Sequence, residues 1–172
     1  MSKVKKIAGS VCSVTIIIGI VLAEYSEDLR ISEKGLELIG NAESCRTEPY
    51  NCPAGVLTVG IGSTGNIENK RYSEDEIAQR WVADLKIAEQ CVINYANGDK
   101  LPQSVFDATV SITFNVGCKK MRLSTLYKYL KVGEYISACN EFPRWNKSAG
   151  KELKGLTIRR EKEKVLCLRE LQ

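Results

Sequence analysis

Three side chains in one short stretch have the types and spacing to do chemistry: a carboxyl at Glu43, a thiol at Cys52 and a hydroxyl at Thr58. The carboxyl is a potential proton donor. A carboxylate that ends an apolar helical stripe is partly desolvated, which favours its protonated form. The thiol, once ionised, can accept a hydrogen bond from water or attack directly. An ordinary thiol titrates near about 8.5, so only a few per cent is ionised at neutral pH. Cys52 is therefore either activated locally or leaves much of the placing of water to Thr58. It is also a candidate for half of a disulfide, and the two roles can belong to different states of the chain. A lone glutamate on a helix is most often just solvated; the strand that follows singles out Glu43.

The elements around these residues follow from periodicity. Leu36, Ile39 and Gly40 recur at helical spacing with Glu43 arriving on the same face, and Ser32 is the candidate N-cap. A turn punctuated by Pro49, Pro53 and Gly55 carries Cys52. Residues 56–62 then alternate with period two, Leu57, Val59 and Ile61 on one face and Thr58, Gly60 and Gly62 on the other. A face of threonine and two glycines is nearly bare backbone and suits close approach by a ligand. Acid, thiol and hydroxyl would then face one cleft.

Glu43, Cys52 and Thr58 at these intervals, with the strand written T-x-G-x-G-x-T, resemble the active site of phage-type lysozymes, the endolysins of glycoside hydrolase family twenty-four. Phe114-Asn115-Val116-Gly117 and Gly155-Leu156 followed by Arg159-Arg160-Glu161 extend the likeness over roughly residues 32–170. The family usually has Asp where this chain has Cys52 and often has His where it has Ser63. The cysteine resembles a subgroup, the signal-arrest-release endolysins, in which the N-terminus and cysteines regulate activity. The resemblance implies an α+β, mainly helical, two-lobed fold with a small antiparallel sheet and a long connecting helix. It implies hydrolysis of the β-1,4 bond between N-acetylmuramic acid and N-acetylglucosamine in peptidoglycan, with catalytic Glu43, Cys52 and Thr58 and without cofactor or metal. A lytic transglycosylase using Glu43 alone is the runner-up, because the second carboxylate is missing. A membrane-tethered wall-binding protein without activity is a third reading. Arg159 and Arg160 are expected to pair with acids or carbonyls, and Asn115 to fix a helix end rather than touch sugar.

Composition agrees with one ordinary globular unit: 172 residues, 44% apolar and 27% charged, net charge +4. Residues 144–172 hold nine Lys/Arg against four Glu. This basic end suits an anionic polymer or is simply a solvated face; no nucleic-acid partner is expected, and the chain is expected to be a monomer. Histidine is absent, which excludes His-assisted nucleophiles and His-ligated zinc. Seven cysteines without a C-x-x-C pair favour an oxidising compartment.

The N-terminus opens with Lys3, Lys5 and Lys6, continues through Ile7 to Ala23 without a charge, and turns acidic at Glu24, Glu27 and Asp28. That asymmetry orients the segment with its N-terminus in the cytoplasm. As a helix the 17 uncharged residues span about 25 Å against a hydrocarbon core of about 30 Å. Gly9, Ser10, Ser13, Thr15 and Gly19 dilute it further. Hydropathy fits a signal peptide cut after Val21-Leu22-Ala23 slightly better; Cys12 and the resemblance favour an uncleaved signal-anchor over residues 1–24 that later leaves the bilayer for the periplasm. The catalytic domain is then 25–172, with a small lobe at 32–72 and a helical lobe at 73–172, and a polar linker at 28–33 leads into the Glu43 helix. A capping box at Ser73 opens a helix through Ile77, Trp81, Leu85, Ala88 and Val92 that ends at Asn97-Gly98. Pro102 starts the next, with Phe106, Val110 and Phe114 as core residues. Shorter helices are expected at 123–132 and 134–142, a polar loop over 145–155, and a last helix at 156–170.

Assumed helix packing pairs Cys91 with Cys118 and Cys139 with Cys167. Cys12, Cys45 and Cys52 are left as a switch. With Cys12 in the bilayer, Cys45 pairs with Cys52, a loop that costs about 1 kcal/mol less to close than one from Cys12. After release, Cys12 attacks Cys45 and frees Cys52.

Overall fold

The computed structural model describes residues 11–52 and 55–171. Helix α1 (Val14–Glu24) and helix α2 (Glu33–Ala42) precede an antiparallel sheet of β1 (Cys45–Asn51), β2 (Leu57–Ile61) and β3 (Ser63–Thr64). The long helix α3 (Glu74–Ala96) leads to α4 (Gln103–Val116), α5 (Cys118–Met121), α6 (Thr125–Lys131) and α7 (Tyr135–Asn140). A small hairpin, β4 (Lys147–Ser148) and β5 (Lys151–Glu152), precedes the last helix α8 (Lys154–Leu168). This is the α+β, mainly helical arrangement expected from the sequence.

Helix α3 forms where its periodicity places it. Ser73 Oγ accepts from the Glu76 backbone N–H while the Glu76 carboxylate accepts from Ser73 N–H, so two orphan donors of the first turn are satisfied together. Ile77, Trp81, Leu85, Ala88 and Val92 are all buried, and Asn97 closes the helix in the left-handed region. Helix α4 is the axis of the helical lobe: every residue from Ser104 to Thr113 is buried. Its hydroxyls tolerate that because Thr109 donates to Val105 O and Thr113 to Thr109 O, at 2.7 and 2.6 Å. Phe106 and Val110 are core, as expected, whereas Phe114 is only partly buried.

Several expectations are corrected. Residues 28–33, expected as a polar linker, are tied to the helical lobe, since Arg30 and Ile31 N–H both donate to the buried Glu89 carboxylate, at 2.9 and 2.6 Å, and Arg30 stacks on Phe106. Ser32 is the N-cap of α2, but its hydroxyl donates to Asp107 and makes no cap bond. The turn drawn through Pro49 is strand: β1 continues to Asn51 and absorbs the proline where its register with β2 shifts between Arg46 and Tyr50, a break that needs no N–H from residue 49. The 145–155 loop contains the β4–β5 hairpin.

The apolar N-terminal stretch folds into the protein in this structure. Ser13 Oγ accepts from Ile16 N–H at the start of α1, and Ile17, Ile18 and Val21 are buried in the common core where α1 packs on α2 and α3. Among the described residues, no helix is long and apolar enough to cross a membrane. Residues 1–10, the first part of the expected anchor with Lys3, Lys5 and Lys6, and Pro53 lie outside the described residues.

Candidate active site

Helix α2 stops one residue before the candidate acid. Glu43 is its C-cap, with extended backbone (φ −104°, ψ 154°) and its N–H bonded to Ile39 O. The side chain therefore leaves the helical stripe instead of ending it. Its partner is charged, not apolar: Arg159 Nη1 of α8 donates to Glu43 Oε1 at 2.6 Å. The other carboxylate oxygen faces the sheet at Gly62, where an added Cβ would stand 3.5 Å from Oε2 and 3.8 Å from the Phe114 ring. Gly62 adopts φ +77°, so its backbone disfavours a side chain there, while the carboxylate stands at ordinary contact distance.

The glycine strand works differently from its alternation pattern. Gly60 turns toward the core, where a Cβ would meet Ile77 Cγ2 at 2.8 Å, while Gly62 faces Glu43. Two positive φ angles, at Gly60 and Gly62, break the period-two twist that the alternation assumed. Leu57 is exposed instead of sharing the buried face of Val59 and Ile61.

Cys52 and Thr58 meet at one carbonyl. Val56 O accepts the Cys52 backbone N–H at 3.0 Å and the Thr58 hydroxyl at 2.9 Å. Thr58 is buried and Cys52 half-buried. Ser63, which stands where the family often has His, donates to Asp84 Oδ2 of α3 at 2.6 Å. Burial raises the Asp84 carboxyl above its ordinary value, with Ser63 and Arg80 pulling it back down.

The cysteines form three disulfides. Cys91–Cys118 and Cys139–Cys167 are the two pairs anticipated for the helical lobe, and Cys12–Cys45 ties the start of α1 to the start of β1. Val11 extends that tie by bridging to Arg46, and Cys12 N–H donates to Cys45 O at 3.2 Å. Cys52 stands outside all three disulfides.

One opening is lined by Glu43 itself and a second by its neighbours Gly62 and Phe114. A groove of about 1330 Å³ runs between α2 and α8, and Glu43, Asn115, Leu156 and Arg159 are part of its wall. A smaller cavity of about 210 Å³ lies between Gly62, Thr64 and Asp84 on one side and Phe114 and Gly117 on the other. The Phe114–Gly117 segment thus lines a cleft, which a core assignment for Phe114 had missed. Asn115 is exposed and its Oδ1 accepts from Arg160 Nη2 at 2.9 Å. Among the described residues, no cluster of three or more Cys, Asp or Glu is placed to hold a metal ion. Sequence reasoning gave Arg159 only a structural part. The i, i+4 spacing to Glu163 was the available signal that Arg159 is held rigidly, but its reach to Glu43 spans 116 residues and is tertiary.

Known proteins share this fold. Residues 40–163 match the family model for phage lysozyme. The chain is 40% identical to the SAR-endolysin of Escherichia phage P1, over 93% of this chain and 92% of that protein. The crystal structure of the active form of P1 phage endolysin Lyz matches with a TM-score of 0.90 at 39% identity, covering 95% of this chain and 98% of that one. The secreted inactive form of the same endolysin matches with a TM-score of 0.59 at 41% identity, over 82% and 97% of the two chains.

Proposed function

Because the chain belongs to the phage lysozyme family, we propose that it cleaves the β-1,4 bond between N-acetylmuramic acid and N-acetylglucosamine in peptidoglycan, and so lyses the bacterial host from the periplasmic side. The observation that carries this reading is Glu43, aimed into the cleft from the end of α2 and held by Arg159. Glu43 gives its proton to the leaving glycosidic oxygen, and water assisted by Cys52 and Thr58 attacks the anomeric carbon. The shared Val56 carbonyl fixes the two assistants relative to one another.

The same sequence is proposed to have an inactive, membrane-tethered state. Strand β1 runs extended from Cys45 to Asn51, which sets the Cα atoms of Cys45 and Cys52 on the order of 20 Å apart. A disulfide needs them within about 7 Å. A Cys45–Cys52 bond and this β1 therefore exclude each other, so pairing these cysteines dismantles the strand that leads from Glu43 to Cys52. While residues 7–23 sit in the bilayer, Cys12 is out of reach and Cys45–Cys52 holds the enzyme silent. On release, the Cys12 thiolate attacks Cys45 Sγ, the Cys12–Cys45 bond forms, and Cys52 leaves as a thiolate that takes up a proton from water. The Cys12–Cys45 bond of this structure, and its greater likeness to the active than to the inactive form of the P1 endolysin, support that order.

Glu43→Gln tests the assignment. The variant should be folded and exported yet almost without wall-degrading activity; wild-type lysis by it would end the reading. The products separate hydrolysis from the transglycosylase alternative, reducing ends marking the first and anhydro-muramic ends the second.

A further inference from the structure

Behind Glu43 lies a buried charge array that the reaction described above does not use. Glu163 of α8 is fully buried. Its Oε1 accepts from Ser111 Oγ of α4 at 2.6 Å and from Arg159 Nε at 3.2 Å. Its Oε2 lies 2.8 Å from Arg160 Nε, a close ion pair whose angle is not that of a hydrogen bond. Arg159 is thus gripped along one edge by Glu163 and presents Nη1 to Glu43, while Nη2 reaches Ser111 O at 3.5 Å. Arg160, also fully buried, donates from Nη2 to Asn115 Oδ1.

A general acid must be reprotonated in every cycle. A guanidinium against a carboxylate favours the ionised form, and in a low-dielectric interior two uncompensated guanidinia favour it more strongly. Arg159 and Arg160 are two such cations, and among the described residues the carboxyls paired with them are Glu43 and Glu163. Burial lowers Arg160 to about 10 against the pull of Glu163, and burial raises the Glu163 carboxyl against the pull of Arg160 and Arg159, which places the three in one electrostatic unit.

We propose that Glu163 is a positioning residue of the glycosidase reaction, aiming Arg159 at Glu43 and offsetting the charge of Arg160 behind it. This rests on the assignment of Glu43 as the proton donor. Each contact in the chain has its own part, in that Ser111 orients the Glu163 carboxylate, Glu163 fixes the Arg159 plane, and Arg159 sets the Glu43 rotamer. An ion pair that served folding alone would have no reason to connect through one guanidinium to the acid.

The test is the pH profile of kcat for hydrolysis of purified cell walls by the full-length released protein. Glu163→Gln is nearly isosteric and leaves an acceptor for Ser111, but removes the anion. Its alkaline limb should move down by about one pH unit, with KM changed by less than about twofold because ground-state binding is untouched. Arg160→Gln should move the limb up, and the double variant Glu163→Gln/Arg160→Gln should return it to near the wild-type position. The proposal is overturned if the profiles keep their wild-type shape and kcat falls by one factor at every pH, or only in proportion to the folded fraction read by near-UV circular dichroism. Should Glu163→Gln fail to fold, the double variant against Arg160→Gln alone decides, since removing both partners leaves no lone buried ion between them. Glu43→Gln run in parallel separates the two claims. If it is inactive while the limbs stay put, only the role of Glu163 fails; if it is active, the acid assignment fails.

Discussion

Gly40 of α2 is the notch that seats Val14 of α1: a Cβ on the glycine would stand 2.5 Å from the valine Cγ1, with the Trp81 ring 3.5 Å away. The glycine sits two residues before the end of the helix whose C-cap is Glu43, so the docking of α1 and the placement of the acid share one helix. Gly40→Ala should overpack this seat and destabilise the fold by about 1–3 kcal/mol. The measurement is the urea midpoint, together with protease nicking ahead of α2, which should increase. Gly19, on the exposed side of α1 with nothing within 4 Å of an added Cβ, is the control. Gly19→Ala should stabilise the folded enzyme by about 0.5–1 kcal/mol through helix entropy. Equal shifts from the two variants would contradict the packing argument.

The helical lobe depends on its two disulfides. Cys91–Cys118 closes a separation of 27 residues and Cys139–Cys167 one of 28, and loops of that length are worth about 3 kcal/mol each through the unfolded chain. The paired substitution Cys91→Ala/Cys118→Ala, and separately the Cys139/Cys167 pair, should each lower the urea midpoint, with a steeper slope because the freed unfolded chain exposes more surface. A midpoint within error of wild type would show that the bond contributes nothing in solution.

Much of this fold can be read from local pattern, and what cannot is tertiary in origin. Ser73 and Glu76 announce α3 because a capping box is complete within four residues. The same holds for the buried stripe from Ile77 to Val92. The site is legible as a spacing, Glu43 to Cys52 to Thr58, but not as a geometry. Alternation hides the positive φ of Gly60 and Gly62, which sends one glycine to the core and the other to the acid. Nor could pattern foretell that Arg159 would answer Glu43 across 116 residues. The stretch that pattern leaves with two readings is α1, because an apolar run carries the same signal for a bilayer as for a protein core. Its burial against α3 becomes visible only once α3 is in place.

Ser63 and Asp84 give a pH signature to the rim of the cleft. Burial raises the folded-state carboxyl of Asp84 above its unfolded value, which is near about 3.9. For such a group the stabilising contribution is complete below the unfolded value and is lost as pH rises through the folded one, because the unfolded chain releases its proton first. Asp84→Asn does not titrate. Relative to wild type it should therefore gain stability as pH rises from about 3 to about 6, even if the lost Ser63 interaction makes it less stable at every pH. Thermal midpoints of both proteins across that range provide the check, and a difference independent of pH would show that Asp84 ionises freely in the folded protein.

The disulfide between Cys12 and Cys45 has a consequence that can be read in cells. In the folded enzyme it holds the first residues of α1 against β1, with the Val11–Arg46 bridge beside it, and it leaves Cys52 outside any disulfide. If Cys12 is what removes Cys45 from Cys52, then Cys12→Ser should be made, exported and released from the membrane, yet remain unable to lyse. Cys45–Cys52 would persist, β1 could not form, and the thiol in the catalytic position would stay blocked. Added reductant should restore lysis to this variant, since reduction frees Cys52 without needing Cys12 and exchange with an external thiol follows the same course. Cys45→Ser should behave in the opposite way, lysing early because Cys52 has lost its partner. Peptide mapping of membrane and soluble fractions reads the disulfides directly, with Cys45–Cys52 in the first and Cys12–Cys45 in the second. Lysis by Cys12→Ser on the normal schedule without reductant, or a mature protein that begins at Glu24, would leave the switch without its working part.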